Sequence, residues 1–325
     1  MIDRRTLLAA AGSATALAAL STTRARAQSF PGKAITLYCA FPAGGPTDLV
    51  FRALGEAAGR ELKQPVVIEN KPGAGGTLAA ITLKSAKPDG YTLAQMPLGV
   101  FRIPHMQKVP QLDPVRDFDY VINLTGYTFG IVVPAGAPWK TFRDFVDDAK
   151  RNPEKINYGS TGTGTTPHLA VEEFAAKAGI KLTHVPYKGS ADLMAAILGG
   201  HIMAASDSTG WAPHVDGGKL RLLVTFGSKR TKKWPDVPTL AELGYDTISD
   251  SPFGLAGPAG MDAGVVRVLH EAFRKALDDP KVRELLERFD QPVIYMGPGE
   301  YTRWARQTYE AERGTIERMG LKGSM

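Results

Sequence analysis

Cysteine is almost absent from this chain: Cys39 is its single instance in 325 residues. That excludes an intramolecular disulfide and any zinc site built on cysteines. Its place in the apolar run Ile35-Thr36-Leu37-Tyr38-Cys39-Ala40 points to a buried strand residue rather than a reactive thiol. Histidines at metal-binding spacing are lacking too. His105, His168, His184, His201, His214 and His270 form neither H-x-x-x-H nor H-E-x-x-H, so no metal is expected. The phosphate loop G-x-x-x-x-G-K-S/T does not occur. Gly162-x-Gly164 lacks the third glycine of the dinucleotide fingerprint, and Gly73-Ala74-Gly75-Gly76 has the wrong spacing, so no nucleotide or other cofactor is expected. No G-x-S-x-G elbow surrounds Ser160, and no acid stands ready to orient a Ser160–His168 pair.

A strong charge of one sign is also missing. The formal net charge is +6, and residues 1–27 hold four arginines and one aspartate, which leaves +3 on the rest. That is too mild to argue for nucleic acid. The basic cluster Lys229-Arg230-Thr231-Lys232-Lys233 reads most simply as a solvated loop. Apolar residues make up 43% and charged residues 22%, the balance of an ordinary globular protein.

Residues 1–27 read as a cleavable export signal. Arg4-Arg5 form a positive start, Leu7 to Leu20 a mildly apolar stretch, and Ala25-Arg26-Ala27 a cleavage pattern, so that the mature chain begins at Gln28. Arg4-Arg5-Thr6-Leu7-Leu8 also resembles a twin-arginine signal, although Asp3 is not the usual residue before the pair. No later segment reads as membrane-spanning, which takes about 20 apolar residues. The expected location is the periplasm.

What the chain does have is glycine at strand-to-helix junctions. Three stand out: Phe41-Pro42-Ala43-Gly44-Gly45-Pro46-Thr47-Asp48, Asn70-Lys71-Pro72-Gly73-Ala74-Gly75-Gly76-Thr77 and Tyr158-Gly159-Ser160-Thr161-Gly162-Thr163-Gly164-Thr165-Thr166. A helix start carries unpaired N–H groups and partial positive charge, and glycine lets a ligand approach that backbone. The junctions therefore suit an anion. Within them Ser160, Thr161, Thr163, Thr165 and Thr166 read as hydroxyl donors. His168, in the first turn of the following helix, is open to two readings, local packing or contact with the ligand. Asp48 is first of all a helix-start carboxylate favoured by the dipole, with ligand contact second. Asp207, at a strand end, would repel an anion unless the ligand also brings a donor; otherwise it makes a strand-end hydrogen bond. Lys188 is either a charge for a carboxylate or an exposed loop lysine.

Strand and helix patterns alternate almost throughout, which predicts an α/β fold with mostly parallel sheets. The spacing predicts a helix at 167–178 capped by Thr166 and one at 191–198 capped by Ser190. A second lobe inserted between the halves of a first fits the order of elements. The expected plan is residues 28–124 and 253–325 for lobe 1 and 125–252 for lobe 2, with an inter-lobe cleft.

Read together, the junctions are followed in order by Val185-Pro186-Tyr187-Lys188-Gly189, Gly218-Lys219-Leu220-Arg221, Pro235-Asp236-Val237-Pro238-Thr239 and Ala241-Glu242-Leu243-Gly244. This series resembles the Bug family of periplasmic solute-binding receptors of tripartite tricarboxylate transporters. The resemblance covers essentially the whole mature chain. It implies a two-lobed clam-shell, a non-enzymatic receptor for small carboxylates, membrane transporter subunits as partners, and a monomer. It also implies that the first junction and the Ser/Gly/Thr junction together grip a ligand carboxylate. By match it assigns to the ligand Phe41, Ala43, Gly44, Gly45, Thr47, Ser160, Thr161, Gly164, Thr165 and His168 and sets Asp207 near the cleft; Asp48, Gly75 and Gly76, from the glycine junctions themselves, complete the expected site. Met203 and Ser208 depart from the family pattern, and the apolar run Pro97-Leu98-Gly99-Val100-Phe101 leaves room for a bulky acid. Two other functions stay open on sequence grounds, a ligand-sensing subunit of a signalling system and a serine hydrolase using Ser160 and His168.

Overall fold

Alternating apolar runs and glycine turns become two sheets, each carrying helices on its faces. The computed structural model of the protein describes residues 30–325; the expected export segment at 1–27 lies outside the described residues. The first half of the chain builds β1 (Ile35–Cys39), α1 (Pro46–Leu62), β2 (Val66–Asn70), α2 (Leu78–Lys84), β3 (Thr92–Met96), α3 (Gly99–Met106) and β4 (Phe118–Tyr127). A single residue, Thr128, separates β4 from β5 (Phe129–Pro134). Then follow α4 (Phe142–Arg151), β6 (Asn157–Ser160), α5 (Thr166–Ala178), β7 (Thr183–Pro186), α6 (Ser190–Leu198), β8 (Ala204–Ser208), α7 (Ala212–Asp216) and β9 (Leu220–Thr225). The chain ends with β10 (Ser251–Pro258), α8 (Ala263–Ala276), α9 (Pro280–Arg288), β11 (Val293–Met296) and α10 (Pro298–Arg318).

One sheet has the order β11-β4-β10-β3-β1-β2 and the other β7-β6-β8-β5-β9. The chain therefore builds part of the first sheet, crosses once to complete the second, and returns through β10. Both sheets are mixed, where mostly parallel ones were expected. β1 runs parallel to β2 and β3, and β6 parallel to β7 and β8. The strands next to the crossings, β4, β5 and β10, pair antiparallel to their neighbours. A strand that arrives from the other sheet enters at the opposite end, so it lies against the direction of the β-α-β units.

Two predicted caps move by one residue. α5 begins at Thr166 with Thr165 as its cap, and α6 begins at Ser190 with Gly189 as its cap. The Ser190 hydroxyl is instead drawn to the Asp207 carboxylate, an acceptor stronger than the helix backbone can offer. The helix α3 was not predicted, and it carries Pro104, a residue that a helix interior disfavours. It survives because every residue of it but His105 is buried, with Val100, Phe101 and Ile103 almost inaccessible.

Apolar packing joins the two sheets' helices. Ile103 and Met106 of α3 cluster with Leu169 of α5 and Ile316 of α10. Beside them Arg102 is buried against Glu312, with Nη2 donating to Oε1 at 3.0 Å, while its Nη1 reaches Thr166 Oγ1 at 3.4 Å. Cys39 is fully buried in β1, and burial pushes its thiol up to about 12, which leaves it unreactive.

Candidate ligand-binding site

Four helices begin around one cavity. α1 starts after Gly45, α3 after Leu98, α5 after Thr165 and α6 after Gly189, and none of these starts carries a side-chain cap bond. α1 and α5 have proline in their first two positions, which suits a helix start that makes no bond there. Gly45, Thr47, Leu98, Gly99, Thr165, Thr166 and Ser190 from these starts line the cavity. Four helix dipoles thus converge on a single space, which favours an anion; at α3 the Val100 and Phe101 N–H groups are already bonded to the Pro97 and Leu98 carbonyls, so the N–H groups left to a ligand come from the other starts. Phe41, Pro97, Tyr127 and Phe129 supply apolar walls.

The glycine junctions face one another across this space. Gly75 has φ +62°, and a Cβ there would stand 2.5 Å from Ile103 Cδ1 and 3.1 Å from the carbonyl oxygen of Thr163. Only glycine lets the second junction lie so close to the third. On the other side, a Cβ on Gly189 would stand 2.6 Å from Pro42 Cδ, so the first junction packs on the turn before α6. The Tyr127 hydroxyl bridges this wall, 2.7 Å from Thr47 Oγ1 and 2.8 Å from Gln95 Nε2. Its ring stacks on Phe253 at 4.3 Å. Burial raises the phenol far above its ordinary value, so it stays neutral.

Of the residues assigned from sequence, Phe41, Gly45, Thr47, Gly75, Thr161, Thr165 and Asp207 line the cavity. Ala43 and Gly44 lie on the exposed outer part of the first turn. Asp48 points away and braces that turn: it accepts from the Gly44 N–H at 3.0 Å, Asn70 Nδ2 at 2.8 Å and Arg52 Nε at 3.0 Å. Burial works to raise the Asp48 carboxyl, but Arg52, Gly44 and Asn70 together outweigh it and hold it below the usual range. Gly76 and Lys188 line an adjoining groove that shares Phe41, Gly75 and Thr161 with the cavity.

Ser160 is fully buried, and its hydroxyl lies 2.7 Å from His184 Nε2, not beside His168. His168 Nδ1 accepts from the Gly164 N–H at 3.2 Å, and its ring packs on His184 at 4.1 Å. These residues, Gly164 included, shape the third junction from behind. Burial lowers both imidazoles to about 4, with Arg102 adding to the effect on His168 and His168 to that on His184. Both rings are therefore neutral near pH 7.

Asp207 sits on the cavity wall, 1% exposed. Its carboxylate accepts from the Ser190 hydroxyl. Burial raises it to about 7, against the hydrogen bonds of Ser190 and Ser208 that favour the charged form. Among the described residues it is the one charged side chain lining the cavity.

Tyr127, Ser190 and Ser251 were missed from sequence. Ser190 had a signal, since Lys188-Gly189-Ser190 repeats the glycine-then-helix pattern. Tyr127 and Ser251 had none, because they reach the cavity through the crossings between sheets.

Residues 50–321 match the profile of the tripartite tricarboxylate transporter family receptor. The chain belongs to that family. The UPF0065 protein of the gbd 5' region of Cupriavidus necator is 48% identical over 98% of this chain and 99% of its own length. Among solved structures, the periplasmic binding protein BugD superposes with a TM-score of 0.85 at 28% identity, covering 90% of this chain and 99% of its own. MatC from Rhodopseudomonas palustris with bound malate gives a TM-score of 0.82 at 27% identity, covering 88% of this chain and all of its own. The two-sheet, two-lobed architecture of this receptor is that of these binding proteins.

Proposed function

We propose that this receptor works in the periplasm and holds a small organic carboxylate in the cavity between its sheets, without converting it. The observation that carries this is the convergence of four uncapped helix starts on one cavity. Backbone N–H groups of α1 and α5, with the hydroxyls of Thr47 and Thr161, replace the hydration shell of the anion, while the Thr165 hydroxyl is spent on the Gly162 carbonyl. Gly45 and Gly75 keep the path to that backbone clear. The apolar walls take the rest of the molecule. The malate bound to MatC supports a carboxylate as the class of ligand.

Residues 28–124 with 253–325 act as one lobe and 125–252 as the other. Closure on the acid favours the state with the greater affinity for it, and a membrane transporter subunit reads that state. A thermal-shift screen of mono-, di- and tricarboxylates on the mature chain tests this. At a hundred times its Kd, a ligand stabilises by about 2.7 kcal/mol, a rise in Tm of a few degrees. A flat response across the panel, from protein shown to be free of co-purified acid, would overturn the reading. So would chemical turnover of a bound acid.

A further inference from the structure

A cavity suited to carboxylates would be expected to avoid a carboxylate of its own. This one has Asp207 in its wall, and among the described residues no lysine, arginine or histidine lines it. The elements packed around Asp207 offer it only uncharged partners. α6 gives the Ser190 hydroxyl, Ser208 follows on its own strand, and β4 gives the neutral phenol of Tyr127. α1, α3, α5 and β5 bring no charged side chain to the cavity. Lys188 faces the adjoining groove, and Arg102 is engaged by Glu312 behind α5. Nothing in the wall therefore neutralises Asp207 when an anion enters.

Two carboxylates that share a buried site do not both stay ionised; one proton is held between them. We propose that Asp207 takes up a proton as a carboxylate enters the cavity, so that each acid bound brings one proton with it and is held in part by a carboxyl-to-carboxylate hydrogen bond. The proton comes from solvent, the carboxylate remains an anion, and no covalent bond changes within the ligand. This rests on the carboxylate reading above and deepens it. Asp207 then acts as a donor to the ligand, and the four helix starts face the carboxylate that stays ionised. The free protein is already poised for the step, because burial holds the Asp207 carboxyl at about 7. The ligand class that follows is an acid with no other donor to offer, such as a simple aliphatic or aromatic carboxylate.

Calorimetric titration of the mature protein with adipate and with benzoate tests this, in phosphate and in Tris, whose ionisation enthalpies differ. At pH 8 the expected uptake is about one proton per acid bound, falling toward zero at pH 5.5. Affinity should weaken by about tenfold per pH unit above pH 7. Asp207→Asn, which keeps a donor, should bind with no uptake and with an affinity independent of pH from 6 to 9. Ser190→Ala keeps the carboxyl but removes its hydroxyl partner, and should retain the uptake with its midpoint moved to higher pH. Binding by the wild type with no uptake and no pH dependence would overturn the proposal. So would binding restricted to malate and mandelate, which carry hydroxyls, with Asp207→Asn losing affinity; that pattern means an ionised Asp207 accepting from the ligand. If no carboxylate binds the wild type at all, the parent reading fails and this one with it.

Discussion

Asp48 and Asp207 stand beside the same cavity, one next to each sheet, and are built in opposite ways. Asp48 is nearly inaccessible yet has a guanidinium, an amide and a backbone N–H on its two oxygens. Asp207 is as inaccessible to solvent but lies deeper in the protein, and has hydroxyl partners but no cation. The first is therefore a charged brace that fixes a turn. The second is a carboxyl whose charge is costly and which lines the cavity. Burial alone does not say what an acidic residue does; the partners around it decide.

The largest effect expected from this comparison is on the turn that Asp48 holds. A Cβ at Gly45 would lie 3.9 Å from that of Ser190, on the cavity side of the first junction. Gly45→Val should weaken carboxylate binding at least about a hundredfold by blocking approach to the start of α1. Isothermal titration against the acids found in the screen measures it. Gly44→Val makes the contrast: its Cβ would meet nothing within 4 Å, but its φ of +83° strains any side chain. That variant should lose stability more than affinity.

Next in size is removal of the brace. Asp48→Ala leaves the Gly44 N–H and the Asn70 amide without their acceptor, and should cost about 1–3 kcal/mol in chemical denaturation. Its acid sensitivity follows from the sign of the shift. The Asp48 carboxyl is lowered in the folded state, so its contribution is present above the ordinary carboxylate range and is lost as pH falls through the folded value. Asp207→Asn should change stability by less, within about 1 kcal/mol, because it replaces a buried carboxyl that no cation supports by an uncharged group of similar shape. Equal losses for the two variants in urea titrations would break the distinction drawn here.

The smallest expected effect concerns pH and the histidine pair behind the third junction. His168 and His184 fall to about 4 in the folded state, against about 6.5 unfolded. In that window the unfolded chain binds more protons, so this pair makes stability fall as pH drops from 6.5 toward 4. Asp207, raised to about 7, works in the other direction: its contribution is full below the ordinary carboxylate range and fades as pH rises through 7. Melting temperatures of His184→Gln across pH 4–7 should show a flatter acid limb than the wild type. An unchanged limb would mean that these rings do not resist protonation in the folded state.

Much of this arrangement was legible in the sequence, and the reasons are local. The junctions at Gly44-Gly45, Gly75-Gly76 and Gly162 to Gly164 announce themselves because glycine between an apolar run and a helical pattern marks a turn whose backbone needs room. Strand β1, helix α1 and the Asp262 cap of α8 follow from periodicity and capping chemistry. What stayed hidden is what depends on partners distant in sequence. Nothing near Asp48 says that Asn70 will reach it, and nothing near Ser160 says that His184 rather than His168 will be its neighbour. The antiparallel strands were hidden for the same reason, since their direction is set by where the chain crosses between sheets. Helix α3 was not read from sequence, and it holds a proline that propensity penalises and burial overrides.

The central claim is that an acid is held by helix starts from both lobes and not by a cationic side chain. A crystal structure of the mature protein with adipate or benzoate bound tests it most directly. The expected result is a carboxylate within hydrogen-bonding distance of backbone N–H groups at the starts of both α1 and α5, with no lysine or arginine in contact. A carboxylate seated on Lys188 in the adjoining groove, or on the basic loop at 229–233, would contradict it.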